Sequence, residues 1–146
     1  MTLGAITNPF SVSPMKTRTA TCSCGQLRIE TRGEPQRVSI CHCLACQKRT
    51  GSVFGAQARF LLTQVQIAGE SSEWVRVGDE GSMVHAHFCP TCGSTVYYAV
   101  GGYDEESIAI PVGAFAEPGF PPPTLSVYEE RMHAWVGLPP DIEHMQ

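Results

Sequence analysis

Seven cysteines, gathered into three short clusters, constrain this chain more than any other feature of its sequence. In chain order they are Cys22 and Cys24, then Cys41, Cys43 and Cys46, then Cys89 and Cys92. Four thiolates close the tetrahedral shell of a zinc ion, whereas three leave one position for a water molecule or a substrate. Dividing the thiols into four and three therefore predicts one closed and one open zinc site.

The four outer thiols supply the soft ligands that a structural zinc prefers. Cys89 and Cys92 have the usual C-x₂-C spacing, and Cys22 and Cys24 are separated by a single residue. A glycine follows each pair, which suits a tight turn around a metal. We expect one zinc to join the two pairs. The alternative, four cysteines without a metal, would leave clustered thiols open to oxidation.

The central cluster predicts the open site. Three thiols within six residues cannot all face an apolar core, and neighbouring thiolates repel each other unless a cation joins them. A zinc held by Cys41, Cys43 and Cys46 favours a soft fourth ligand, such as a substrate thiol, and lowers the pKa of that thiol. The chemistry indicated is activation of a thiol for addition to a small carbonyl compound, with a proton donor for the developing alkoxide.

Lys48 and Arg49 follow this cluster directly. They are candidates to offset the negative charge of three thiolates or to bind the substrate. An ordinary solvated pair is the alternative, since most surface lysines and arginines are of that kind. His42, His85 and His87 are weighed in the same way, as proton-transfer groups or as hydrogen-bonded residues of the sheet.

The rest of the chain predicts a single all-β domain of short antiparallel strands, sandwich-like or barrel-like, with zinc-knuckle turns. Its 146 residues suit one core, and 14 glycines and 11 prolines separate short alternating segments. Residues 1–17 lack apolar periodicity and predict a flexible arm, which leaves 18–146 as the zinc-binding domain.

Several elements are predicted individually from local pattern. Residues 44–50 favour a short helix that ends at Gly51. Residues 69–72 predict a hairpin loop between strands at 65–68 and 73–77. Strands at 83–88 and 95–100 flank a knuckle at Cys89 to Gly93, and the last strand is expected at 125–128. Trp135 is expected to dock onto the sheet.

Charge and hydropathy exclude several classes of function. The net charge of -4 disfavours binding to nucleic acid or to an acidic membrane surface. No apolar run reaches the length of a transmembrane helix, and the first residues do not have the pattern of a signal peptide. We therefore expect a soluble, cytoplasmic protein, in which clustered cysteines bind metal rather than form disulfides.

The cysteine blocks also carry a family resemblance. The segments that carry it are Cys22-Ser23-Cys24-Gly25, Cys41 to Lys48, and Phe88 to Ser94. They resemble the glutathione-dependent formaldehyde-activating enzyme family, which also includes centromere protein V. The likeness extends over about residues 19 to 137 and includes the Gly113-Ala114-Phe115 segment. Ser126 stands where many members have histidine.

This resemblance implies an all-β fold with a structural zinc on the four outer cysteines and a second zinc on the central three, near a glutathione site. The family's founding reaction condenses glutathione with formaldehyde to S-hydroxymethylglutathione, a carbon–sulfur lyase reaction in reverse. One alternative is a non-catalytic zinc-ribbon-like binding module, in which a fourth protein ligand closes the central site. Another is a methionine-R-sulfoxide reductase, which has a similar fold but needs a free nucleophilic cysteine.

Overall fold

Eleven short strands and one two-turn helix form the described part of the computed structural model, which comprises residues 15–78, 81–101 and 106–145. The strands are β1 (Thr17–Thr21), β2 (Arg28–Arg32), β3 (Arg37–Cys41), β4 (Gly55–Leu61), β5 (Val65–Ala68), β6 (Ser72–Val77), β7 (Met83–Phe88), β8 (Thr95–Gly101), β9 (Ser107–Pro111), β10 (Leu125–Val127) and β11 (Glu143–Met145). The helix is α1 (Leu44–Thr50). The predicted all-β class is confirmed. The predicted N-terminal arm falls almost wholly outside the described residues.

The strands form two sheets, and neither closes into a barrel. A three-stranded sheet has the order β1-β2-β5, and an eight-stranded sheet has the order β11-β10-β3-β4-β9-β8-β7-β6. The pairings are antiparallel except at one end, where β10 runs parallel to both β3 and β11. Parallel neighbours need a long connection. The chain between β3 and β10 is long enough to provide one. The sequence pattern predicted only antiparallel strands and therefore missed this pairing.

The main core lies between the two sheets. Alternate residues of β2 and β4 point into it, and Ile29 and Phe60 are both fully buried there. A smaller cluster on the opposite face of the large sheet contains Val84, Ala86 and Tyr98. The large sheet therefore has two buried faces, and α1 lies over the second one, where the side chain of Arg49 covers the Tyr98 ring.

The predicted helix at 44–50 is confirmed, including its end. Gly51 adopts a φ of 74° and donates its N–H to the carbonyl oxygen of Gln47. This left-handed C-cap is the conformation for which glycine is preferred. None of the helices in the described ranges is long and apolar enough to span a membrane.

The predicted hairpin at 69–72 is wrong. β5 pairs with β2 in the small sheet, whereas β6 pairs with β7 at the edge of the large one. The turn carries the chain from one sheet to the other. Gly69 has a φ of 99°, and a Cβ atom there would lie 2.0 Å from the carbonyl oxygen of Gln26. The crossing therefore depends on a residue without a side chain.

We expect Gly69→Ala to destabilise the protein by more than about 4 kcal/mol, because the added methyl group meets backbone that cannot move aside cheaply. Gly51→Ala is the matched control. It has a similar positive φ but open space around the added Cβ atom, so it should cost only the left-handed strain of about 1–2 kcal/mol. Urea unfolding measures both variants. Equal losses would show that the contact with Gln26 does not matter.

Trp135 does not dock onto the sheet, contrary to the prediction. Its side chain is 73% exposed, and among the described residues its ring contacts that of His133, at a centroid distance of 6.2 Å. The buried phenylalanines of the main core are instead Phe60, Phe115 and Phe120, of which the last two stack on each other. After β10 the chain turns away at Tyr128, which has a φ of 59°, and it returns only as β11.

Candidate metal centres and the adjoining groove

The four outer cysteines converge at one end of the two sheets. Cys22 and Cys24 follow β1, and Cys89 and Cys92 lie in the turn between β7 and β8. Their sulfur atoms all lie within 4.8 Å of one another, and the distances from Cys24 Sγ to Cys22 Sγ and Cys89 Sγ are 3.6 and 3.7 Å. Four sulfurs about 2.3 Å from a tetrahedral zinc would be about 3.8 Å apart. The set therefore fits such an ion.

Polar groups contact three of these sulfurs. The backbone N–H groups of Leu27 and Thr91 donate to the sulfurs of Cys22 and Cys89, each at 3.3 Å. Contacts with the backbone and side chain of Ser94 lower the pKa of Cys92 to about 5. All seven cysteines are unbridged, so every thiol of this set is free to bind a metal.

Gln26 is a supporting residue that sequence reasoning missed. Its side-chain amide donates to Cys89 Sγ at 3.0 Å and to the carbonyl oxygen of Glu70 at 2.7 Å, and its Oε1 accepts the N–H of Glu70. Groups that hydrogen-bond to metal ligands fix the orientation of those ligands. Gln26 thus connects the four-thiol set to the crossing between the sheets, a link over too long a sequence separation for local pattern to reveal.

The three central thiols also converge. Cys41 ends β3, Cys43 is the N-cap of α1, and Cys46 lies in its first turn. Their sulfurs lie within 4.8 Å of one another, and no fourth cysteine, histidine, aspartate or glutamate of the described residues joins them. The fourth ligand that the alternative of a closed, non-catalytic site requires is therefore not found in the described ranges.

Contacts among the three central thiols shift the pKa values of Cys41 and Cys43 in opposite directions. Hydrogen bonds from the thiols of Cys41 and Cys46 lower the pKa of Cys43 to about 2, and contacts with the other two thiols raise the pKa of Cys41 far above its usual range. In the absence of a cation the thiolate form is therefore favoured at Cys43 and disfavoured at Cys41. A divalent cation favours deprotonation of all of its ligands. The donor set fits a metal that accepts three thiolates, as zinc does.

Comparison with known proteins agrees with this arrangement. The sequence profile of the family described as glutathione-dependent formaldehyde-activating enzyme matches residues 17–135. The chain belongs to this family. Membership supports a function related to glutathione and formaldehyde in general terms, and the two thiol sets, each able to hold a metal ion, are consistent with zinc in this family.

A solved structure resembles the fold. It is the crystal structure of a Rhodobacter sphaeroides protein, with a TM-score of 0.52 and 21% sequence identity over 71% of this chain and 91% of that one. At this identity the likeness concerns the fold alone. No curated protein matches the chain.

His42 lies between two cysteines of the central set but takes part in a different contact. It is fully buried, and its Nε2 lies 3.1 Å from Ser126 Oγ on β10. The Ser126 side chain also lowers the pKa of the Glu129 carboxyl. In this family member, serine at 126 therefore provides a polar partner for the buried ring of His42.

We expect Ser126→Ala to lower the free energy of unfolding by about 1–3 kcal/mol, because it leaves the buried Nε2 of His42 without its hydrogen-bond partner. Urea unfolding gives the energy, and the ¹⁵N spectrum of the His42 ring reports the loss of the hydrogen bond. Ser52→Ala, at an exposed serine, should stay within about 0.5 kcal/mol of the unmodified protein. An unchanged ring spectrum in Ser126→Ala would contradict the hydrogen bond between His42 and Ser126.

His85 and His87 are not brought to the central thiols. Nδ1 of His85 and Nε2 of His87 contact the same carboxylate oxygen of Glu73 on β6, at 3.1 and 3.2 Å. Side chains alternate along a strand, and Val84 and Ala86 of β7 face α1, so the two histidines lie on the other side of the sheet. They are hydrogen-bonded sheet residues, and neither is placed for proton transfer at the central set.

Lys48 and Arg49 do lie beside the central set. Arg49 donates from Nη2 to Cys46 Sγ over 3.6 Å, and its guanidinium carbon lies 4.6 Å from the centre of the Tyr98 ring. Gly55 leaves room for it, since a Cβ atom there would be 3.2 Å from Nη2. Both basic residues also line a groove between α1 and strands β6 and β7. The structure therefore places this basic pair close to the central thiols.

Proposed function

We propose that the protein is a zinc-dependent enzyme of the carbon–sulfur lyase type that promotes the addition of glutathione to formaldehyde. The observation that carries the proposal is the central thiol set, which brings three sulfurs together and takes no fourth ligand from the described residues. Membership of the glutathione-dependent formaldehyde-activating enzyme family supports the choice of substrates.

The proposed reaction joins the glutathione sulfur to the formaldehyde carbon. The thiol loses its proton, the sulfur forms the carbon–sulfur bond, the carbonyl π electrons pass to oxygen, and the oxygen takes up a proton to give the S-hydroxymethyl product. A zinc bound by Cys41, Cys43 and Cys46 would supply a positive centre that favours the thiolate form of the substrate.

Residues of this chain would prepare the site for that chemistry. Three thiolates on one divalent ion leave a net charge of -1, which opposes the approach of an anionic substrate. Arg49, bonded to Cys46 Sγ, and the neighbouring Lys48 reduce that opposition through their positive charge. The four outer thiols would hold a second, structural zinc that fixes the sheet ends. We further propose a cytoplasmic location, where thiols stay reduced.

The rate of exchange between formaldehyde and its glutathione adduct tests the proposal. Zinc-loaded protein should accelerate this exchange above the spontaneous rate in a two-dimensional NMR exchange experiment. Metal analysis of the same sample should give two zinc ions per chain. Fully loaded protein that leaves the rate at the spontaneous value would overturn the proposed reaction.

A further inference from the structure

The groove beside the central thiols has a second wall that the sequence alone did not reveal. Its volume is about 320 Å³, and it lies between α1 and the edge strands β6 and β7. Trp74 and Arg76 of β6 line it from the side opposite Lys48 and Arg49. Alternation along β6 turns both side chains to this face, while Glu73 faces the histidines on the other.

Three cationic residues, Lys48, Arg49 and Arg76, line this groove. Among the described residues, Lys48, Arg49 and Arg76 form no ion pair with an aspartate or glutamate. Arg49 is held in place by the Tyr98 ring and by Cys46. The chain as a whole carries a charge of -4, so a cluster of three positive charges departs from the average surface. Such a cluster attracts an anion.

The groove is close to the central thiols as well as positively charged. Arg76 and Arg49 line the same groove. Arg49 contacts Cys46 directly. A ligand whose sulfur lies at the thiol set would therefore place the rest of its length in the groove.

The remaining wall is apolar. Trp74 is 59% exposed although it faces the groove, and Val84 and Ala86 form the floor. An exposed tryptophan beside arginine and lysine offers a flat surface for peptide bonds and short aliphatic segments. The groove therefore suits a small flexible molecule that has an apolar middle and an anionic end.

We propose that this groove binds the carboxylate-bearing end of the thiol substrate, and that Arg76 and Trp74 are the residues that select anionic thiols over neutral or cationic ones. The inference rests on the proposed function for the position of the sulfur, and it deepens that function by assigning the residues that select the substrate. Arg76 can form a bidentate pair with a carboxylate, and Lys48 can add a second charged contact.

Binding of S-methylglutathione to the zinc-loaded protein tests the proposal without the reaction. This thioether keeps both carboxylates but has no thiol proton, so no adduct can form. Isothermal titration should show about tenfold weaker binding to Arg76→Gln and to Trp74→Ala than to the unmodified protein, and weaker binding in 0.5 M than in 0.05 M salt. The dimethyl ester of the same peptide should bind at least tenfold more weakly than the acid.

Arg28→Gln is the matched control, since Arg28 is exposed on the small sheet and should bind the peptide like the unmodified protein. Equal affinity for acid and ester, or unchanged binding in both groove variants, would overturn the groove assignment even if the formaldehyde reaction is accelerated. Charge-dependent binding that both groove variants weaken, together with no acceleration of the reaction, would instead support the groove and reject the proposed function.

Discussion

A Cys24→Ser variant is expected to lose one of two zinc ions and its cooperative unfolding transition. Cys24 is exposed, so replacing its sulfur by oxygen removes a metal ligand without leaving a cavity in the core. Structural zinc sites contribute ~10–16 kcal/mol to folding, which equals or exceeds the whole stability of a typical domain at ~5–15 kcal/mol. Loss of the four-thiol site should therefore unfold most of the chain.

Metal content, circular dichroism and thermal unfolding measure this result together. Cys43→Ser is the comparison, because it also removes one ligand but from the central set. It should lose the other zinc ion and keep the cooperative transition. If Cys24→Ser melts like the unmodified protein while retaining a single zinc, the four-thiol set is not a structural site and the division into four and three fails.

The division of the thiols into four and three could be predicted from the sequence because metal chemistry limits where clustered thiols can lie. Cys41, Cys43 and Cys46 are near neighbours along the chain, so their convergence follows from local spacing. Cys22 and Cys89 are far apart in sequence, but each belongs to a pair that lacks a full shell alone. The need for four ligands on one zinc predicted this long-range contact, which hydrophobic periodicity does not predict. The structure brings both pairs together.

The residue types of a turn do not identify its structure where a hairpin loop and a crossing between sheets favour the same residues. Gly69 and its polar neighbours fit a hairpin loop as well as a crossing between sheets. The contact that decides is the approach of Gly69 to Gln26, which no window around residue 69 contains. The misplaced Trp135 has a related cause, since an aromatic residue predicts burial only when the chain passes over an unfilled part of the core.

The groove residues were missed for a third reason. Alternation along residues 72–77 places Trp74 and Arg76 on one side of a strand, but it does not say which side faces α1. That choice depends on the pairing of β6 with β7 and on the position of the helix over Tyr98. Ser126 was recognised as a departure from the family pattern, yet its contact with His42 also required the parallel pairing of β10 with β3.

The second large effect is expected for Cys43→Ser in the formaldehyde reaction. With one of three ligands removed, the rate above the spontaneous background should fall at least about a hundredfold, the upper end of losses seen when groups that merely support metal ligands are removed. Cys43 Sγ also caps α1 by accepting the N–H of Cys46. The fold should persist in the variant because serine is among the best residues for that position.

The cap makes this variant more informative than a change to alanine. Serine keeps the hydrogen bond that starts α1, so Lys48 and Arg49 remain over the groove and S-methylglutathione should still bind within about threefold of its normal affinity, since the groove charges are retained. A variant that binds the peptide, keeps one zinc and has lost the reaction would assign the chemistry to the three-thiol set itself. Full activity in a folded variant with a single zinc would instead mean that the open site takes no part in the reaction.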